Sequence, residues 1–192
     1  MQPAEKLTPP PRSRWLQGWH SENIGGLVSM AGSCLFLLGG DTSGIVISVS
    51  FLIAEIVLTR WGHLRAGYSF GGALFAFGDA VAVTSNVAAD NKAFQIALAA
   101  MAAAWALGVL RAPLAWLGER YDRPGLVRFA DALQPVVGVL ILTLRLPGII
   151  AAISGGNFLG AAAVTCWGIA DVLVGRLQDV VGRFRRAWRD RT

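Results

Sequence analysis

The sequence predicts an all-α polytopic membrane protein of about six transmembrane helices, arranged as three parallel helical hairpins with an internal repeat. Three observations carry this. Apolar residues make up 54% of the chain against 15% charged, with mean hydropathy +0.53, outside the range of soluble domains. Basic residues are unevenly placed along the chain. The phrase IAEIVLTR at 53–60 returns, lightly altered, as IADVLVGR at 169–176.

A hydrocarbon core about 30 Å thick takes roughly 17–25 helical residues to cross. Six runs meet or approach that length: 24–40, 44–60, 66–88, 92–111, 130–152 and 158–176. They divide the chain into a tail over 1–20, a membrane domain over 21–176 and a basic segment over 177–192. The tail is polar and proline-rich, with Trp15 and Trp19 as interfacial anchors, and holds no apolar core of a cleaved signal before Trp15. With six crossings, 15 of the 17 lysines and arginines fall on the side of both termini, leaving Lys92 opposite and Arg145 inside a span. Such a bias puts that side in the cytoplasm of a bacterial-type inner membrane. The net charge of +5 follows from the same bias and does not point to nucleic acid, whose binders interleave basic and aromatic residues on a soluble face.

A register shift of 116 residues aligns Gly39-Gly40-Asp41 with Gly155-Gly156-Asn157, Gly44 with Gly160, Ala54 with Ala170, Glu55 with Asp171 and Arg60 with Arg176. Glycine supplies turn conformations closed to other residues, and Asp or Asn bonds to nearby backbone, so each copy reads as a helical hairpin with its turn at the far surface. The descending helix ends on an arginine, which suits the helix dipole and reaches the headgroups. Spans 3 and 4 echo the pattern around AADNK at 88–92, with Trp105-Ala106 where the acid stands in the others. Residues 112–128 read as a short helix on the cytoplasmic surface. Leu177, Val180, Val181, Phe184 and Trp188, interleaved with arginines, read as an amphipathic helix on anionic lipid headgroups.

Ionisable groups cost roughly 2.5–3.5 kcal/mol each inside a bilayer and so need a reason. Glu55 and Asp171 lie toward cytoplasmic helix ends, each with an arginine five residues on. Asp79 and Arg145 each stand about eleven residues before a turn, hence about 16 Å below the far surface, and are expected to pair at the midplane. With Asn86 and Asn157 these four form the candidate track for an ion or small polar solute. Ser29, Ser33, Ser48, Ser50, Ser69, Thr84, Ser85, Thr143 and Thr165 are further members or simply bond their own backbone. Pro147 should kink span 5.

Enzymatic motifs are missing. His20 and His63 have no metal spacing, Cys34 and Cys166 read as small apolar residues within spans, and no phosphate loop or catalytic triad is present. AFGDA at 76–80 is similar to the glycine-aspartate motif of intramembrane aspartyl proteases but lacks its first glycine, and the only Tyr-Asp, Tyr121-Asp122, falls in a loop. No catalytic residue, metal or cofactor is expected. The expected function is a small transporter or channel, the alternative a non-catalytic subunit of a larger membrane complex; the expected partners are lipid, copies of the chain or such a complex.

Overall fold

A computed structural model describes residues 21–39 and 42–173. The expected tail, the basic helix at 177–192, Arg176 and the Gly40-Asp41 turn lie outside the described residues. Among the described residues the protein is all-helical, with no strand. Helices α1 (Ser21–Cys34), α2 (Thr42–Trp61), α3 (Arg65–Thr84), α4 (Lys92–Val109), α5 (Arg111–Arg120), α6 (Pro124–Ser154) and α7 (Phe158–Leu173) follow in order, and a 3₁₀ turn, Leu35–Gly39, extends α1. Four stretches, Thr42–Trp61, Arg65–Thr84, Lys92–Arg120 and Pro124–Ser154, are long and apolar enough to cross a membrane, while Ile24–Leu38 and Phe158–Leu173 are apolar but shorter.

Local chemistry sets the boundaries. Asn91 caps α4 by accepting the Phe94 amide at 3.0 Å, satisfying one of the donors a helix start leaves open. The α4–α5 joint falls at Leu110, three residues before Pro113, whose ring and missing N–H oppose the turn through Val109. Ser69 on α3 repairs that joint, its hydroxyl accepting the Ala112 amide at 3.0 Å. Gly156 closes the α6–α7 turn at φ +74°, which other residues rarely adopt. The helix α6 continues through Pro135 and Pro147 over 31 residues, about 46 Å at 1.5 Å per residue.

Helix neighbours run α1, α2, α3, α4, α6, α7 and back to α1, a closed ring with α5 packed outside it against α6. The α2–α3 seam is tight because glycine allows it: a side chain at Gly78 would run into the Phe51 ring, and one at Gly71 into Leu58. Side chains fill the middle of the ring. Phe51 packs edge-on to Trp167 at 4.8 Å and lies 5.2 Å from Phe75, which stacks on Trp105 at 4.7 Å. The outer faces present Phe70, Phe77, Ile96, Leu146, Ile150 and Phe158, as surfaces bathed in lipid do.

Helices α2, α4 and α7 bury matching stripes. On α2 these are Gly44, Ile47, Ser48, Phe51, Ala54 and Glu55; on α4, Phe94, Ala97, Leu98, Met101, Ala104 and Trp105; on α7, Gly160, Ala163, Val164, Trp167, Ala170 and Asp171. Each set has the i, i+3, i+4, i+7 spacing of one helix face.

Candidate functional site

Three buried charged groups, Asp79 on α3, Arg145 on α6 and Asp171 on α7, lie among the ring helices. Arg145, 7% exposed, points from α6 to Asp171 on α7, 3% exposed, with Nε and one terminal nitrogen each 3.5 Å from the same carboxylate oxygen. Its guanidinium carbon lies 5.1 Å from the centroid of the Trp167 ring, and its other terminal nitrogen reaches the Met101 sulfur at 3.7 Å. A cation held over an aromatic face in a desolvated setting gains up to about 2 kcal/mol, which complements the pair with Asp171.

This corrects the expected pairing. Asp79 is equally deep, at 2% exposure, and feels the Arg145 charge, but makes no ion pair with it. The reason is lateral: α4 stands between α3 and α6 in the ring, whereas α7 is next to α6. Equal residue counts from a turn did not make the two groups neighbours.

Glu55 is also buried and accepts the Ser29 hydroxyl at 2.7 Å, while Arg60 is exposed. Hydrogen bonds and the cation–π contact of Arg145 with Trp167 link the two acid centres. The Ser33 hydroxyl donates to the Ser29 carbonyl at 3.0 Å and accepts the Trp167 indole N–H at 3.2 Å, and Ser48 donates to the Ser33 carbonyl at 2.6 Å. From Glu55 through Ser29, Ser33 and Trp167 to Arg145 and Asp171, contacts therefore cross from α2 and α1 to α7 and α6. Ser50, Thr84, Thr143 and Thr165 stay outside these contacts and bond carbonyls of their own helices.

Asn86 and Asn157 are remote from that layer. They line a cleft of about 350 Å³ where residues of the α1–α2, α3–α4 and α6–α7 connections meet, among them Leu35, Phe36, Asp90, Asn91, Gly155 and Gly156. Asn157 caps α7 through the Gly160 amide at 2.8 Å and donates to the Val87 carbonyl, while Asn91, the cap of α4, donates to the Ala151 carbonyl at the end of α6. Each asparagine thus starts its own helix and clamps the other turn. A side chain at Gly155 would collide with the Asn91 amide. Asn86 is exposed on the lip. Phe36 connects the two levels, lining the cleft and stacking on Trp167 at 5.8 Å.

The opposite end carries a network that reading the chain for span charges passed over. Arg65 bonds Asp131 through Nε at 3.0 Å and a terminal nitrogen at 2.9 Å and also pairs with Glu119, while Arg111 approaches Asp131 at 3.6 Å and lies 5.4 Å from the Tyr68 centroid. These groups tie α3, α5 and α6 at the face expected to be cytoplasmic. Trp167 and Met101 were likewise missed as site residues. One signal was available: Ser29 precedes Glu55 and Arg145 precedes Asp171 by the same 26 residues. Cys34 and Cys166 are free and half-buried. Among the described residues no group of three or more His, Cys, Asp or Glu is placed to hold a metal ion. No protein family, no curated protein and no solved structure matches the chain.

Proposed function

We propose that the chain is a six-crossing inner-membrane protein built from three parallel hairpins, and that it works as a small transporter for an ion or polar solute. The hairpins are α1–α2, α3–α4 and α6–α7. Counting in sequence from Asp41, Asn91 and Asn157, Ser29, Asp79 and Arg145 are equivalent, as are Glu55, Trp105 and Asp171, and the three buried stripes fall into the same register. The meeting of all three turns around one cleft supports a shared direction through the membrane. With α1 and α7 counted as crossings despite their described lengths, the basic connections lie on the cytoplasmic side.

The observation that carries transport is the Arg145–Asp171 pair, buried among the ring helices beneath a polar-lipped cleft and separated from it by Phe36 and Trp167. A bilayer-embedded guanidinium is costly, and two hairpin packings would be as well served by apolar residues of similar volume. Aromatic filling of the ring corresponds to an occluded state, in which ring rotation opens the path. The second reading, a non-catalytic subunit of a larger complex, draws on that same filled centre and on the continuous apolar outer faces. Proteoliposomes carrying the purified chain, tested with imposed gradients of inorganic cations, anions and organic ions, test the first. The account expects protein-dependent dissipation of at least one gradient. No flux across the whole panel, together with a stoichiometric partner pulled down from native membranes, establishes the second instead.

A further inference from the structure

We infer that the joint between α5 and α6 is a binding site for anionic lipid headgroups. The inference goes beyond the transport reading and needs only that the chain lies in a membrane. Helix lengths place the joint. The stretch Lys92–Arg120 has 29 residues and α6 has 31, whereas α2 and α3 have 20 each. At 1.5 Å per residue, 20 residues match a hydrocarbon core of about 30 Å, so the two longer elements run past it by roughly 14–16 Å of helix. Asn91, before α4, and Gly155, after α6, both line the cleft, so the excess of both elements falls at the opposite end, where Tyr121–Arg123 connects them. Counted from Ser154, Arg128 stands about 9 Å beyond the core, at the level of the headgroups.

The joint is closed and stiff. The Arg123 amide donates to the Gly118 carbonyl at 2.7 Å, and a side chain at Gly118 would run into Val127 on α6. Helix α5 turns Arg111, Ala115 and Gly118 inward, which leaves Trp116 and Arg120, one turn apart, on its outward face. Trp116, Tyr121 and Phe129 are all more than half exposed, as aromatic anchors at a membrane interface are. Arg120, Arg123 and Arg128 are exposed too, and no ion pair from a described residue reaches them. The acids beside them are engaged elsewhere, Glu119 with Arg65 and Asp131 with Arg65 and Arg111, so that Asp122 alone opposes the three arginines. A zwitterionic headgroup gains little from that excess, whereas an anionic phosphate gains charge-assisted bonds from guanidinium forks already held in place. Free phosphate has the charge but no acyl chain to lie against Trp116 and Phe129, which points to lipid.

The test titrates the purified full chain in mild detergent with dioleoyl phosphatidylglycerol or dioleoyl phosphatidylcholine and counts bound lipid by native mass spectrometry. Phosphatidylglycerol should bind more tightly, by a margin that shrinks as salt rises. Arg120→Gln, Arg123→Gln and Arg128→Gln together should lower its affinity about 100-fold, near fivefold per arginine, and leave phosphatidylcholine unchanged. Arg→Lys changes at the same three positions should keep the preference. If the triple variant fails gel filtration or circular dichroism, Arg123→Gln alone carries the test, with about a fivefold loss. Equal affinity of the native chain for the two lipids, a preference that survives the three glutamines, or displacement of the lipid by inorganic phosphate at matched ionic strength would overturn the inference. A chain that stays in solution without detergent removes the membrane reading itself, whereas a chain that needs detergent and shows no lipid preference removes this inference alone.

Discussion

Two hairpins of the proposed repeat, α1–α2 as the first and α6–α7 as the third, each carry a hydrogen bond between their helices and make it from different chemistry. In the first, Ser29 serves Glu55; in the third, Arg145 serves Asp171, and both donors stand 26 residues before their acids. A serine is sufficient to hold two helices in register. The third hairpin spends a buried guanidinium where a hydroxyl would do, and the proposed transport role rests on that difference. The second hairpin sharpens the contrast, with Asp79 at the donor position and Trp105 at the acid position.

The largest expected effect follows from removing the guanidinium. Arg145→Leu leaves Asp171 charged and buried, a loss of about 3–5 kcal/mol, readable as a fall in unfolding midpoint in detergent. Arg145→Leu with Asp171→Leu should recover most of it. If the single substitution is no worse than the double, the pair is not coupled and the contrast between the hairpins fails. Ser29→Ala in the first hairpin should cost less, about 1.5–3 kcal/mol, because one hydrogen bond to Glu55 is lost while no charge is stranded. A loss equal to that of Arg145→Leu would make the two hairpins energetically alike.

Much of the fold was legible because its signals are one-dimensional. Apolar runs and glycine turns are read along the chain alone, and the four long apolar helices were legible for that reason. Which helix stands beside which is a lateral question. Nothing in the local sequence of α3 or α6 says that α4 comes between them, and so the pairing of Arg145 went to the wrong acid. The Arg65–Asp131–Arg111 network escaped for a related reason, since each arginine already had an explanation as a cytoplasmic flank charge. Asn91 was read as part of a turn, while its dual role as cap and clamp needed the neighbouring turn of α6 to be in view. Beyond the four long apolar helices, the six-crossing count depends on two shorter ones, and the repeat on the register of their buried faces.

Smaller effects sharpen the comparison further. Asn91→Ala and Asn157→Ala each remove a helix cap, worth about 0.5–2 kcal/mol, and the two should be alike because the clamps are reciprocal. Thermal scans of both variants check this, and a large difference between them would set the second and third turns apart. The smallest change is expected at Arg65→Ala, where exposed partners and screening by salt leave little to lose; an unfolding midpoint unchanged in high salt is the expected result.

The central claim is that the charge in the third hairpin works rather than merely holds. Its most direct test is flux through proteoliposomes carrying the Arg145→Leu, Asp171→Leu double variant, for whichever gradient the native chain dissipates. The account predicts a protein that folds at near-native yield and passes nothing. Flux at the native rate in that variant would contradict it, and would reduce Arg145 and Asp171 to a costly version of the Ser29–Glu55 bond.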